Sequence, residues 1–298
     1  MEIWVLVTIF AAAVQTLRFM LQKRLKGLGL STGGATFSRF LFAAPLAVSG
    51  ATVLGLLRGY ELPSLDLLFW AYAIAGGVAQ IIATFCTVAL FSERSFAVGI
   101  GFTKTETVQV AAFSAIFLGE VVSPMGIAAI LIGFAGVILL SRPPKGWLDG
   151  GLFNRATMLG LLAGGFFGIS AIGYRGATIE IANDDALFRA LMALACATAF
   201  QASAMALWLR WREKGELTRV LVAWRAVLPV GVTGVLGSLG WFTAFALHNA
   251  AYVRSVGQVE LIFSILVSMF FFREVPKLRE VAGMALLGSS IVLIVTVA

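Results

Sequence analysis

Long apolar segments separated by short polar ones dominate this chain. Runs of about twenty hydrophobic residues follow one another almost without pause, and each is long enough to cross ~30 Å of hydrocarbon as an α-helix. The strands of a β-barrel would be shorter and would alternate apolar with polar residues. The pattern therefore predicts ten transmembrane helices, at residues 3–22, 33–57, 67–90, 96–118, 123–141, 157–177, 184–210, 220–247, 250–272 and 278–297.

Composition supports the same class of protein. Hydrophobic residues make up 60% of the 298 residues and charged residues only 12%, whereas a soluble domain averages ~25% charged residues. So few charges cannot cover the surface of a soluble protein of this size. We therefore predict an all-α polytopic membrane protein whose partner is the lipid bilayer. The first apolar segment lacks a basic n-region and an A-x-A-like cleavage site, so we expect a retained helix rather than a signal peptide.

The net charge of +7 would indicate a nucleic-acid partner in a soluble protein, but its distribution gives another explanation. Of the 22 Lys and Arg residues, 15 follow odd-numbered predicted helices: Lys23, Arg24, Lys26, Arg94, Arg142, Lys145, Arg155, Arg210, Arg212, Lys214, Arg219, Arg225, Arg273, Lys277 and Arg279. The positive-inside rule makes these loops cytoplasmic and puts both termini outside. We expect a protein of the cell membrane, the inner membrane of a bacterium, with no nucleic-acid partner.

Two segments of the chain carry the same glutamate spacing. ETVQVAAFSAIFLGE runs from Glu106 to Glu120 and ELIFSILVSMFFFRE from Glu260 to Glu274, so both place thirteen residues between two glutamates, at an offset of 154. GVAQIIATFCTVAL also matches GVLGSLGWFTAFAL, and SRFL matches FRAL, in the same order along the chain. These pairs predict that the chain consists of two repeats.

Each predicted repeat has five helices, an odd number, so the second repeat enters the membrane with the opposite orientation. This is the inverted-repeat plan of secondary transporters, whose substrate site lies near the bilayer midplane between the repeats. We predict repeats at residues 1–144 and 156–298, joined by a cytoplasmic connector at 145–155. The prolines, glycines and charges of SRPPKGWLDGG suit such a connector.

These residues resemble a known family. The E-x13-E pattern that closes predicted helices 4 and 9, the Gly119-Glu120 junction and the arginine of the second helix are similar to the EamA-type branch of the drug/metabolite transporter superfamily. The resemblance covers essentially the whole chain. It implies ten helices in two repeats, alternating access without a bound cofactor, and transport of metabolites, often amino acids, with export favoured over uptake.

The sequence departs from the family pattern at several positions. Thr107 and Leu261 follow the glutamates where the family often has proline, and Arg273 stands before Glu274 where glycine would be usual. Many members also place both termini in the cytoplasm, opposite to the orientation that the charge count predicts here.

Charged and polar residues inside the predicted helices are the candidates for a substrate site. Lys104 and Glu106 on predicted helix 4, and Gln258 and Glu260 on predicted helix 9, are expected near the midplane, where they must face protein or water. In the functional hypothesis, Lys104 and Gln258 bind polar substrate groups. Glu106 and Glu260 then bind an amine or a coupling proton. In the structural alternative, the glutamates bond to neighbouring helices and Lys104 neutralises one of them.

Arginines supply a second set of candidates. Arg39 and Arg189 lie about two turns into predicted helices 2 and 7, where they could attract a carboxylate or phosphate; the alternative is snorkelling or bonding to loop carbonyls. Arg18 is near a basic helix end, so we expect it to snorkel, and Arg254 is expected near an outer mouth. The deeper positions hold four cations and two glutamates: Arg39, Lys104, Arg189 and Arg254 against Glu106 and Glu260. This surplus of positive charge favours an anionic group on the substrate.

Three uncharged residues complete the predicted site. Trp241 would stack on a substrate side chain, with packing or lipid contact as the alternative. It follows a glycine series in predicted helix 8 that suggests a thin, bendable helix beside a cavity: Gly231, Gly234, Gly237 and Gly240. Gln15 and Gln80 are plausible cavity residues, although interhelical hydrogen bonding explains them equally well. Pro45 should kink predicted helix 2.

Other classes of function find little support in the sequence. The chain has one histidine, His248, its two cysteines have no metal or redox spacing, and the acidic run at 183–185 has no second acidic cluster, so we predict no metal, cofactor or catalytic residue. No phosphate-binding glycine loop indicates ATP-driven transport. We predict a secondary transporter, an exporter of amino acids or organic acids, acting as a monomer or homodimer. A lipid flippase on the same scaffold is the alternative, and a membrane-embedded enzyme is a weaker one. A flippase should show a lateral, partly polar groove, and a solute carrier a closed central cavity.

Overall fold

The computed structural model describes residues 2–91, 103, 106–141, 155–272 and 278–297. Within these ranges the chain forms thirteen α-helices and no β-strand. The helices of the first half are α1 (Ile3–Gly27), α2 (Thr32–Leu41), α3 (Ala43–Arg58), α4 (Leu67–Leu90), α5 (Glu106–Leu118) and α6 (Pro124–Ser141). Those of the second half are α7 (Arg155–Ile179), α8 (Ala186–Arg212), α9 (Glu216–Val222), α10 (Trp224–Leu247), α11 (Ala250–Val256), α12 (Val259–Phe272) and α13 (Leu278–Val297).

The predicted all-helical membrane class is confirmed by the length and composition of these helices. Six segments are long and apolar enough to cross a membrane: α1, α2 with α3, α4, α7, α8 and α10. Shorter apolar helices occupy Glu106–Leu118, Pro124–Leu139 and Val281–Val297. The count of ten spans stays a prediction, since residues 96–102 and 104–105 of the predicted fourth helix lie outside the described part of the chain.

Two of the predicted helices are interrupted in the structure. α2 ends at Leu41 and α3 begins at Ala43, because Pro45 has no N–H with which to continue the ladder to Leu41. This is the break that Pro45 predicted. The second interruption was not predicted: the backbone turns at Gly257 and Gln258, between α11 and α12. It brings side chains of both short helices into the protein interior.

Helices of the first half pack chiefly on helices of the second. α1 lies along α10, α4 along α7, α3 along α8 and α6 along α13. The pairs α1–α10 and α4–α7 are reciprocal, because α1 and α7 open the two predicted repeats and α4 and α10 are the third spans of each. Such reciprocity is what an exchange of the two halves would produce, and it favours the predicted inverted repeat.

Glycines allow these helix pairs to approach closely. A Cβ on Gly240 of α10 would lie 2.8 Å from Cβ of Ala11, and a Cβ on Gly173 of α7 would lie 2.7 Å from Cα of Gly76. The glycine series predicts a thin, bendable helix beside a cavity, and α10 does line a cavity, described below, through Ser238 and Trp241; its bending stays a prediction. That helix is continuous from Trp224 to Leu247, and its glycines face α1 and α2 at contact distance.

Candidate functional site

A small polar cavity, here called the central cavity, lies where α1, α2, α4, α7, α10 and α11 meet. Six polar side chains line it: Gln15, Arg39, Gln80, Ser170, Ser238 and Arg254. Five aromatic side chains complete most of the wall: Phe167, Tyr174, Trp241, Phe242 and Phe245. The cavity volume is about 20 Å³, which is room for about one water molecule. A metabolite therefore requires the surrounding helices to separate.

Arg39 projects from α2 into this cavity and is only 5% exposed. Its two terminal nitrogens donate to neutral oxygens, Nη1 to Thr84 Oγ1 at 3.1 Å and Nη2 to Ser238 Oγ at 3.1 Å. No carboxylate forms an ion pair with it within the described ranges of the chain. A buried guanidinium that only hydroxyls satisfy keeps a strong preference for an anion.

Arg254 reaches the same cavity from α11, on the N-terminal side of the helix interruption. Its Nη2 donates to Oε1 of Glu106, the first residue of α5, and the two form a buried ion pair. The guanidinium also lies 4.5 Å from the ring centroid of Trp241, a cation–π contact. The structure corrects the expectation that Arg254 stands at an outer mouth, because its side chain is buried in the wall of the central cavity.

Gln15 on α1 connects the cavity wall with the helix interruption. Its Nε2 donates to Glu260 Oε2 at 3.2 Å, and its Oε1 accepts from Trp241 Nε1 at 3.0 Å. Trp241 therefore faces the interior, with its ring fixed by Gln15 and by Arg254. Gln15 was predicted to line a cavity or to form an interhelical hydrogen bond, and in the structure it does both.

The α4–α7 side of the cavity has its own hydrogen bonds. Ser170 Oγ donates to Gln80 Oε1 at 2.7 Å, so Gln80 also combines a place in the cavity wall with an interhelical bond. Tyr174, one turn after Ser170, accepts from Gln201 Nε2 at 2.9 Å. Its ring centroid lies 4.2 Å from that of Phe242, which ties α7 to α10 across the cavity.

Several cavity residues were not predicted, although the sequence carried a signal for them. On α7 the lining residues fall at 167, 170, 171 and 174, and on α10 at 238, 241, 242 and 245. Both sets follow the i, i+3, i+4, i+7 spacing that puts residues on one helix face. Two such stripes of mixed aromatic and polar residues, on two helices of the second half, would have identified Ser170, Tyr174, Ser238 and Phe245.

The remaining predicted site residues that the structure describes lie outside the cavity wall. Glu260 and Gln258 are buried at the helix interruption, and Glu260 accepts a hydrogen bond from Gln15 of the cavity wall. Arg189 on α8 is half-buried and donates from Nη2 to the carbonyl of Ala246 at 3.2 Å. Lys104 lies outside the described residues.

Arg39 and Arg189 do not occupy equivalent helix positions. Arg39 lies about two turns beyond Ser31, the N-cap of α2, whereas Arg189 lies about one turn beyond Asp185, the N-cap of α8. The N-caps themselves are 154 residues apart, the same offset as the glutamate pairs. The one-turn difference explains why Arg39 reaches the cavity while Arg189 stays near the helix start.

Arg18 is also placed differently from the prediction. It is 1% exposed, donates from Nη1 to Gln22 Oε1 at 2.6 Å, and lies 4.2 Å from the ring centroid of Phe19. The prediction that it snorkels is therefore wrong. Arg18 interacts electrostatically with Arg39 and Glu260, so it adds positive charge beneath the cavity.

Ion pairs and hydrogen bonds between the halves lie beyond the cavity on two sides. Arg175 on α7 pairs with Glu120 at 2.7 Å and also donates to the carbonyl of Phe245. Glu120 also accepts a hydrogen bond from the Ser114 hydroxyl at 3.0 Å. At the N-terminus of α2, Glu216 accepts from the Ser31 backbone N–H at 2.6 Å, and the Ser31 hydroxyl donates to Glu213.

The helices and the enclosed polar cavity define a polytopic helical membrane protein. Residues 154–296 match the EamA-like transporter family. This match, to the second half of the chain, confirms the resemblance found in the sequence, and the family consists of membrane transporters of the drug/metabolite transporter superfamily.

Comparison with solved structures supports the fold. A chain described as "Crystal structure of protein" superposes over 97% of this chain and 94% of its own length, with a TM-score of 0.68 and 14% sequence identity. At this identity the likeness concerns the fold alone. No curated protein matches the chain.

Proposed function

We propose that the protein is a secondary transporter that moves a small polar metabolite with an anionic group through the central cavity by alternating access. Amino acids and organic acids are the substrate class, and the EamA-type resemblance favours export from a bacterial cell across the inner membrane. One observation carries the proposal: Arg39 is buried, lines the cavity and, among the described residues, donates to the neutral hydroxyls of Thr84 and Ser238 and to no carboxylate. A substrate carboxylate is the natural partner for such a cation.

The other groups of the cavity suit the rest of such a substrate. Gln80, Ser170 and Ser238 offer hydrogen-bonding groups, and the aromatic walls suit an apolar side chain. We retain Lys104 and Gln258 as groups for polar parts of the substrate. Glu106 and Glu260 remain the candidates for an amine or a proton.

The contacts beyond the cavity support alternating access. Glu216 and Ser31 join the two halves of the chain on one side, and Arg175 and Glu120 join them on another. Opening one contact while the other holds would expose the cavity to one face of the membrane at a time. The closed cavity then corresponds to the occluded step between the two open forms.

A flippase is the second candidate, and a groove on the outer surface between α3, α4 and α8 is the observation that favours it. The groove, here called the lateral groove, has a volume of about 700 Å³. Its lining residues include Leu56, Trp70, Phe188 and Met192, and none of the lining residues in the described part of the chain is charged. A lipid head group needs polar partners along its path, so the solute carrier is the better supported proposal.

Transport by purified protein in proteoliposomes tests the choice. We expect uptake or counterflow of at least one amino acid or organic acid, above that of protein-free liposomes and sensitive to an imposed pH gradient. A fluorescent phospholipid reporter in the same vesicles should show no added lipid movement. Lipid movement without solute transport would support the flippase and contradict our proposal.

Orientation is tested separately. The 15 basic loop residues on one side motivate placing both termini outside. A reporter that is active only in the cytoplasm, fused after Ala298, should therefore give no signal in a bacterial host. A strong signal would reverse the orientation while leaving the transport proposal intact.

A further inference from the structure

Arg254 occupies a position between two anion sites. On one side it pairs with Glu106, and on the other it lines the central cavity over the ring of Trp241. We infer that Arg254 exchanges Glu106 for the anionic group of the substrate, and that Glu106 then takes up a proton. This inference rests on the proposed transport function and names Arg254 as a substrate-binding residue and Glu106 as the proton site.

The two arginines of the cavity motivate the exchange. Arg39 and Arg254 both line a volume of about 20 Å³ and lie close enough to repel each other. Glu106 does not line the cavity, so its charge compensates Arg254 from behind. An anion that enters between the two guanidinium groups removes their repulsion and offers each a charged hydrogen-bond acceptor. A bound anion therefore stabilises the conformation in which Arg254 turns towards the cavity.

Both members of the pair have unused hydrogen-bonding atoms. Oε2 of Glu106 and Nε of Arg254 are buried and have no hydrogen-bond partner among the residues that the structure describes. The pair is thus held through one oxygen and one nitrogen rather than through a two-point contact, which leaves it easier to separate. A protonated Glu106 would supply an O–H donor at the same place.

Three helices pack against α5 and could bring charged groups near Glu106. These helices are α6, α7 and α11. α6 contains no titratable residue among those described. On α7 the charged residues are Arg155, at its first position, and Arg175, which pairs with Glu120; between them Gly165 lies opposite Gln109 of α5. The Arg175–Glu120 pair lies about 18 Å or more along α5 from Glu106.

α11 contributes Arg254 to Glu106, whereas its Tyr252 bonds to Ser123 beyond the far end of α5. Arg254 is therefore the charged partner of Glu106 within the described ranges. Lys104 precedes Glu106 by two residues and lies outside those ranges, so the test below includes a variant that removes its charge.

The charge balance gives the sign of the effect. In the empty carrier Glu106 forms the ion pair with Arg254. When the substrate anion takes Arg254, Glu106 is a buried carboxylate without its counter-ion, and such a group becomes neutral by binding a proton. Binding of one anion is therefore accompanied by uptake of one proton, and the two cross the membrane together. Because binding takes up a proton, the affinity falls as pH rises, by up to about tenfold per pH unit.

Calorimetry on the purified full-length protein tests this linkage. L-Glutamate, succinate and L-phenylalanine serve as probes, and each titration is repeated in MES and in Bis-Tris buffer, whose heats of ionisation differ. We expect at least one probe to bind with uptake of about one proton in part of the range between pH 5 and 8. Binding without proton uptake over this range would overturn the inference but leave the transport proposal standing. A folded protein that binds no probe would contradict both.

Variants locate the proton. Glu106→Gln should keep anion binding, bind more tightly than the wild type at high pH, and lose both the proton uptake and the pH dependence. Lys104→Met should retain the proton uptake. Glu120→Gln is the matched control, because Glu120 is also paired with an arginine but lies outside the cavity; its proton uptake should equal that of the wild type. Unchanged proton uptake in Glu106→Gln would overturn the assignment, and if this variant fails to fold, the wild-type measurement in two buffers still decides.

Discussion

The central cavity and the lateral groove differ in size and in chemistry. The groove is far larger, about 700 Å³ against about 20 Å³, and is lined chiefly by apolar side chains. The cavity holds Arg39 and Arg254, both taken out of water and both fixed by hydrogen bonds. In a membrane protein an apolar groove can be filled by lipid chains. Burying a cation costs free energy, so a buried cation indicates a function. This contrast supports the proposal that charge and burial, rather than volume, mark the transport site.

The strongest test of this comparison is the removal of the cavity cation. Arg39→Gln should lower transport by about 100-fold, because the charge-assisted bond to a substrate anion is worth ~3 kcal/mol. Initial rates in proteoliposomes measure the effect. Arg189→Gln is the matched control, an arginine of α8 that bonds to the Ala246 carbonyl outside the cavity, and it should remain within about threefold of the wild type. Equal losses in both variants would mean that the cavity has no special role.

A subtler change addresses how Arg39 is held. Ser238→Ala removes one of its two neutral acceptors, so the guanidinium is less well positioned for an incoming anion. A hydrogen bond to a charged group is worth ~1.5 kcal/mol or more, and we expect about a tenfold rise in KM. Thermal unfolding should change by only a few degrees. A large loss of folded protein with a normal KM would show that Ser238 serves stability alone.

Trp241→Phe keeps an aromatic ring near Arg254 but removes the donor to Gln15. Loss of one buried neutral hydrogen bond of ~1 kcal/mol should weaken substrate binding about fivefold. The same variant should leave the proton count of binding unchanged, since it removes no charge. A variant that binds normally would place Trp241 outside the substrate-binding wall.

The smallest effect is expected in the lateral groove. Ala199→Phe fills part of the groove with a large side chain on an exposed position of α8. Because no charged residue lines the groove, solute transport should change by less than about twofold. Strong inhibition of transport by this variant would contradict the assignment of transport to the central cavity and would indicate that the groove is part of the transport path.

Much of the fold was predictable because the bilayer imposes a simple rule on the sequence. A span must be apolar over its whole length, so α1, α4, α7, α8 and α10 follow the hydrophobic segments closely. The rule says little about irregular backbone in the interior. Gly257 and Gln258 interrupt an apolar segment without any proline, so the division into α11 and α12 had no clear signal.

The site was predictable only in part, for the same reason. Gln15, Arg39, Gln80 and Trp241 were chosen as polar or aromatic residues within apolar segments, and the structure puts all four in one cavity wall. Substrate binding by these residues stays a prediction. Arg254 was judged by its distance from a helix end, but that measure fails where a short helix packs inside the protein. Depth within a span is a tertiary property, and linear position gives it only for an unbroken helix.

The small volume of the central cavity matters for the proton gradient across the membrane. A continuous file of water molecules across a membrane protein would conduct protons and drain the gradient that drives ATP synthesis. A space of about 20 Å³ bounded by aromatic rings accommodates about one water, too few to form such a file. We therefore expect the proposed carrier to conduct no protons in its occluded form.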